Sequence, residues 1–464
     1  MAETIQVLAP EEARGKARPV WIVGPEGDAA DGAGVPAEVT RWLEAIGFER
    51  EPGAVALVPG ADASGPASAA IALGTPGDPL AAGALAGRLP EGDWFVANPE
   101  ATDIELATLG FCMGAYRFDR YRARPEKPVR LVPDASLDRE RLAAMAGAVA
   151  LTRDLVNTPA NDMGPDAIET ALRTLAGQHK AAVRAIAGDA LIAKKLPMIH
   201  AVGRAAAIPP RLLDMSWGRK DAPKVTLVGK GVSFDSGGLG IKPSGSMRNM
   251  KKDMGGAANV IGLASLIMEL GLDIRLRVLI PAVENAIAGN AFRPGDVYPT
   301  RKGITVEIGH TDAEGRLVLA DALTLADEDD PDLIVDMATL TGAARVALGP
   351  DVVPFFTEDN KLATALAAAS EAVRDPVWRM PLWQPYARNL ASTVADCANV
   401  TTDGFAGSVT AALFLQKFVS ADRRWAHFDL FAWNPKPKPH APVGGEAQAI
   451  RAIYAVLEER YGGS

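Results

Sequence analysis

In four short segments between Val228 and Arg316 the chain sets four carboxylates and four lysines, Lys230 and Lys242 among them, amid glycines and apolar runs. They fall in Val228-Gly-Lys-Gly-Val-Ser-Phe-Asp-Ser-Gly-Gly238, Ile241-Lys-Pro243, Met250-Lys-Lys-Asp-Met-Gly-Gly256 and Thr311-Asp-Ala-Glu-Gly-Arg316. Charged groups in such surroundings need a partner or a metal, so a fold for this chain has to gather distant segments. Lys230, Asp235, Asp253, Asp312 and Glu314 offer hard oxygen donors plus one amine, a set able to hold two metal ions. Lys242 and Arg316 remain as cations to face a developing oxyanion or hold a small anion. The pattern points to metal-assisted hydrolysis.

The surrounding sequence predicts an α/β fold. From about residue 150 onward, β-like runs at Lys224–Val228, Arg275–Ile280 and Leu333–Met337 alternate with amphipathic stretches, which implies a sheet flanked by helices. Val225–Val228 would form a central strand, with Lys230 and Asp235 in the glycine-rich turn at its carboxyl end, where α/β sheets carry their sites. Ala257–Leu270 reads as a buried helix beginning after Gly255 and Gly256, which places Asp253 just before a helix start. Asp312 and Glu314, two apart, point to one side of an extended segment, with Arg316 continuing the row.

Each feature also has a plainer explanation. Lys230 and Asp235 can form a solvated ion pair in a tight turn, and Asp312 and Glu314 can be the acidic first turn of a helix over Leu317–Leu323. A phosphate cradle fits poorly, because no Gly-Lys-Ser/Thr closes the loop.

The first 125 residues carry shorter β-type runs, Val20–Val23 and Ala54–Val58, between Gly/Pro/Ala-rich connections and without catalytic clusters. A Pro-containing basic stretch, Arg122–Arg130, precedes the strand-like Leu131-Val-Pro133. A helix is predicted over Asp138–Arg153 from Leu142, Met145 and Val149. The expectation is two domains: a smaller α/β domain over 1–130, a linker helix over 131–155, and a larger α/β catalytic domain over 156–464 with a mixed central sheet.

The formal charge of −9 opposes unaided binding to nucleic acid or anionic lipid. Cys112 and Cys397 are the only cysteines, so neither a disulfide framework nor a thiolate zinc cluster is available. The start lacks a basic region followed by an apolar one, and no apolar run of spanning length follows. A soluble, cytoplasmic protein with no membrane partner is expected.

The chain resembles the leucyl (cytosol) aminopeptidase family. The resemblance rests on Asn157-Thr-Pro-Ala-Asn161, Gly229–Gly238, Met250–Ala257, Thr311–Leu317 and Ala338-Thr-Leu-Thr-Gly-Ala343, and continues through Trp378–Leu382, Ala406-Gly, Ala411–Leu415 and His427-Phe-Asp429. It covers about 150 to the C-terminus; Tyr116–Tyr121 hints at it earlier. It implies a homohexameric enzyme that removes the N-terminal residue of peptides with a free α-amine through a water activated by two metals. One metal would be held by Asp235, Asp312 and Glu314, and the other by Lys230, Asp235, Asp253 and Glu314. Lys230 would bind as a neutral amine.

Further roles follow from the resemblance. Lys242 would donate to the oxyanion, and Arg316 would hold a bicarbonate ion that relays a proton. Met250, Thr339, Leu340, Gly342 and Phe431 would contact substrate. Manganese or zinc suits the donors, and magnesium or cobalt is also accepted.

Two positions depart from the family pattern. His310 stands where the family has Asn, and is read as a packed histidine replacing an amide hydrogen bond. Phe431 stands where a small residue is usual, and would narrow the first side-chain pocket and shift preference away from leucine. His179, His200, His427 and His440 are read as structural or exposed. The competing classes are a metal-dependent phosphoesterase or amidase and a nucleic-acid-binding regulator, the latter disfavoured by the acidic balance.

Overall fold

The computed structural model describes residues 7–24, 34–60, 65–74, 77–123 and 128–463. Positions 124–127 of the predicted boundary stretch and residues 1–6 of the chain's start lie outside the described residues. The chain divides into two compact units: Met1–Ala150 with Asn434–Val443, and Leu151–Trp433 with Gly444–Ser464.

The first unit holds a five-stranded sheet of β1 (Arg18–Val23), β2 (Val55–Pro59), β3 (Pro66–Ala72), β4 (Gly92–Val96) and β5 (Val129–Val132). Its order is β2-β3-β1-β4-β5, parallel except for β2 against β3. Ala69, Ala70, Ile71 and Ala72 are buried in succession, as expected of a strand covered on both faces. The helix Ile104–Gly114 starts where the Asp103 carboxylate accepts the Leu106 amide.

The second unit is built on a larger mixed sheet. Its strands are β6 (Ala182–Ala187), β7 (Arg211–Trp217), β8 (Lys224–Gly229), β9 (Gly231–Asp235), β10 (Arg275–Asn285), β13 (Leu333–Ala338), β14 (Val353–Phe356), β15 (Val377–Arg379) and β17 (Trp425–Asp429). The order is β15-β14-β17-β13-β8-β10-β7-β6, with β9 also on β10. A separate small sheet joins β11 (Val297–Pro299), β12 (Thr305–Glu307) and β16 (Cys397–Ala398).

The helix Gly255–Glu269 is buried from Gly255 through Met268, which explains its lack of a polar face. It lies so close to β13 that a Cβ at Gly256 would meet the Met337 carbonyl oxygen at 2.1 Å. Glycine is required there by contact with backbone, which cannot rotate aside.

Two local expectations need correction. Asp235 ends β9 instead of sitting in a turn, because β8 and β9 are successive strands on β10 interrupted only at Lys230. Asp312 and Glu314 do not form an extended row: Glu314 is the helical N-cap of Gly315–Asp327, and Arg316 lies within that helix.

Candidate metal centre and substrate cleft

Lys230 occupies the break between β8 and β9. Its amide donates to the Met337 carbonyl (3.0 Å), and its carbonyl accepts from Ala257 at the head of the buried helix (2.9 Å). With its backbone bonded on both sides, the residue holds its side chain inward, 3% exposed. Nζ lies 2.7 Å from Asp253 Oδ2 and 2.9 Å from Glu314 Oε1, and donates to the Thr339 carbonyl at 2.9 Å. Gly315 leaves room for it; a Cβ there would come within 2.5 Å of the lysine Cε.

Lys242 makes a second such pairing, with Nζ 2.8 Å from Asp235 Oδ2 and also against Asp312 Oδ1. Asp235 is fixed from behind by Asn285, whose Nδ2 donates to Oδ1 at 2.8 Å. Thr339 Oγ1 donates to Asp253 Oδ1 at 2.9 Å. The two lysines thus face four carboxylates and leave the cluster with excess negative charge.

The electrostatics follow. Burial, then repulsion from Asp235, pushes the Glu314 carboxyl up to about 8, and burial with Asp253 beside it raises Asp235. Burial opposes the Lys230 ammonium, but Asp253, Glu314 and Asp235 outweigh it and hold the group well above the usual lysine range. Lys230 and Glu314 both shift upward although they are paired. The reason is that Glu314 feels two further carboxylates while Lys230 gains from all three.

The donors suit metal ions. Oxygens of Asp235, Asp312 and Glu314 lie within 4.8 Å of one another, and Glu314 Oε2 is buried with no hydrogen-bond partner. An unserved buried carboxylate oxygen is costly unless a cation supplies the missing interaction. Arg316, also buried, donates to the Asn399 carbonyl at 2.7 Å and keeps an unpartnered Nε. Burial pulls its guanidinium down to about 10.

These groups open onto a cleft of about 880 Å³, also lined by Met250, Thr339, Leu340, Gly342 and Phe431. The structure therefore brings all twelve sequence-predicted residues to one place. Thr339 turns its hydroxyl to Asp253, and the Leu340 amide donates to Asp429 Oδ1 at 3.0 Å.

His310 is exposed at the cleft instead of packed, and its Nδ1 accepts the Asp312 amide at 3.0 Å. His427 is buried, with Nδ1 2.6 Å from Asp336 Oδ1 and its ring stacked on Phe356 and Trp425. His179 and His200 face Glu269 and Asp189 at 3.4 and 3.1 Å.

Sequence reasoning missed Asn285, Lys252 and Arg345. Lys252 Nζ and Arg345 Cζ each lie 5.0 Å from the Phe431 ring centroid. Burial pulls Lys252 down to about 8. A cation–π contact contributes about 0.5–2 kcal/mol, less than the several kcal/mol of desolvation a buried ammonium meets. The lysines of Met250-Lys-Lys-Asp253 were visible in sequence, but which of them turns inward was not.

The descriptions "Cytosol aminopeptidase family, catalytic domain" and "M17 aminopeptidase, N-terminal domain" match residues 150–454 and 28–133. A probable cytosol aminopeptidase of Roseiflexus castenholzii is 40% identical over 380 residues, covering 78% of this chain and 77% of the relative. The crystal structure of the Coxiella burnetii cytosol aminopeptidase aligns with a TM-score of 0.90 at 46% identity, over 96% of this chain and 97% of that one. The bottromycin maturation enzyme BotP in complex with Mn aligns with a TM-score of 0.84 at 36% identity, over 96% of this chain and all of BotP. With its catalytic region matched almost throughout, the chain belongs to the cytosol aminopeptidase family.

Proposed function

We propose that this chain is a dinuclear metalloaminopeptidase that hydrolyses the first peptide bond of free-amine peptides. The observation that carries the reading is the cluster of Asp235, Asp253, Asp312 and Glu314 around two lysines, with Glu314 Oε2 left unserved. Asp235, Asp312 and Glu314 would hold one ion; Lys230, Asp235, Asp253 and Glu314 would hold the other. When bound, such ions supply Lewis-acid polarisation of the scissile carbonyl and acidify a water.

The remaining roles fall to the chain's own groups. Lys242, which lines the cleft, would donate to the oxyanion that develops on the substrate carbonyl. Arg316, with its free Nε, would hold a small anion such as bicarbonate able to pass a proton to the leaving amine. Met250 and Phe431 would receive the first side chain, with Thr339, Leu340 and Gly342 along the substrate. His310 fixes the turn carrying Asp312 and stays outside the ligand set.

Manganese or zinc is the proposed native pair. The donor set also accepts magnesium or cobalt, and the manganese complex of BotP favours manganese among these. We read residues 1–130 as the accessory domain, 131–155 as the linker and 156–464 as the catalytic domain. A cytoplasmic location fits the relatives' names, and assembly into the homohexamer implied by the family resemblance would cover the exposed Val346, Trp378, Trp383 and Phe405 of the catalytic unit. No described helix is long and apolar enough to cross a membrane.

Titrating manganese into chelator-stripped protein by calorimetry tests the centre. Two equivalents bound per chain are expected; no binding overturns the assignment.

A further inference from the structure

The cleft wall around Phe431 carries two cations, Lys252 and Arg345, that no carboxylate among the described residues approaches closely enough to form an ion pair. Lys252 is 7% exposed, and Arg345 flanks the same ring from the helix Gly342–Leu348. Among the described residues neither has an ion-pair partner, whereas Lys230 and Lys242 each hold two.

The nearby acids are already engaged. Asp253 serves Lys230 and Thr339, and Asp429 accepts the Leu340 and Thr341 amides and the Thr341 hydroxyl. The adjacent Lys251 turns elsewhere, donating to the Asn157 carbonyl at 2.7 Å and lying over the Trp433 ring. Lys252 thus lines the cleft against the Phe431 ring, with no hydrogen bond or ion pair to its Nζ among the described residues, an arrangement that a ligand carboxylate would complete.

We propose that Lys252 and Arg345 select peptides whose first residue bears a carboxylate side chain. The inference rests on the reading of Met250 and Phe431 as the pocket for that side chain. The Phe431 ring offers apolar surface for the methylenes of such a residue, and the guanidinium of Arg345 and ammonium of Lys252 would meet its carboxylate from either side. Phe431 then acts as more than a steric restriction, since its π-face holds the two cations in position.

The test compares kcat/KM on glutamyl, leucyl and lysyl p-nitroanilides, which lack a terminal carboxylate, and on leucyl-glycine against leucyl-glycinamide. Glutamyl anilide should be favoured over leucyl by about tenfold or more, a typical return for a charge-assisted hydrogen bond, and lysyl should be the poorest. Arg345 is exposed, so Arg345→Met should fold normally; it should cut the glutamyl-to-leucyl ratio at least about tenfold, mainly through KM. Lys252→Met should act in the same direction.

A leucyl preference that Arg345→Met leaves unaltered overturns the proposal while the aminopeptidase reading stands. A change in the leucyl-glycine to leucyl-glycinamide ratio instead would assign the cations to the chain terminus and also overturn it. Failure to cleave any free-amine substrate removes the aminopeptidase reading, and this inference with it.

Discussion

Glu314 is the residue on which the candidate centre turns. It touches Lys230, it feels the charges of Asp235 and Asp253, and it retains an unserved oxygen. Replacing it with Gln removes a charge that both proposed ions share. Metal affinity should fall by more than about 100-fold, beyond what loss of a supporting group outside the ligand shell costs. Elemental analysis after dialysis reads this directly, and an unchanged metal content would count against the ligand assignment. Lys242→Ala should behave differently: metal content is retained, and kcat falls by about 100–1,000-fold, the range for loss of an oxyanion donor. The carboxylates of the cluster were legible in sequence because acidic residues in Gly-rich segments are conspicuous. Lys252 was not, because a lysine beside another lysine shows its burial only once Phe431 is packed against it.

At the scale of the element, β8 to β10, β13 and the helices Gly255–Glu269 and Gly315–Asp327 position nearly all the chemistry. The strand runs Lys224–Val228, Arg275–Ile280 and Leu333–Met337 could be read in advance because they are short runs rich in Val, Ile and Leu. The interruption at Lys230 could not, since it depends on Ala257 and Met337 arriving from other segments to take its backbone groups. The helical start at Glu314 was one of two readings left open, because two-residue spacing fits an extended chain and a turn equally well, and the acidic helix start is the one observed. Gly256→Ala tests the helix-to-strand approach: overpacking against the Met337 carbonyl should cost about 1–3 kcal/mol, measured by denaturant unfolding.

The pair Asp336–His427, cross-strand neighbours on β13 and β17, gives a pH prediction. Burial disfavours the imidazolium, but Asp336 outweighs it and raises the His427 pKa above 6.5. A raised histidine binds its proton more readily in the folded state. Its stabilisation is therefore complete below about pH 6.5 and is lost as pH climbs through the higher folded value. His427→Gln should flatten that part of the stability profile, as followed by thermal unfolding across pH.

For the whole molecule, the two-unit α/β organisation was anticipated from the change in composition and pattern near residue 130. The return of Asn434–Val443 to the first unit was not, because a short Pro-rich stretch, Pro435-Lys-Pro-Lys-Pro-His440, carries no periodic signal of where it packs. The family resemblance leads to the expectation of six chain masses per particle by light scattering, with exposed Trp378, Trp383 and Phe405 available for contacts between chains and a monomer at micromolar concentration as the contrary result.

The central claim is that metal ions gathered by this cluster drive removal of an N-terminal residue. Amino-acid release from a free-amine peptide and from its N-acetylated twin, by chelator-stripped protein with and without restored manganese, tests it most directly. Release from the free peptide alone, and only with metal restored, is predicted. Equal cleavage of both peptides, or cleavage that ignores the metal, would contradict it.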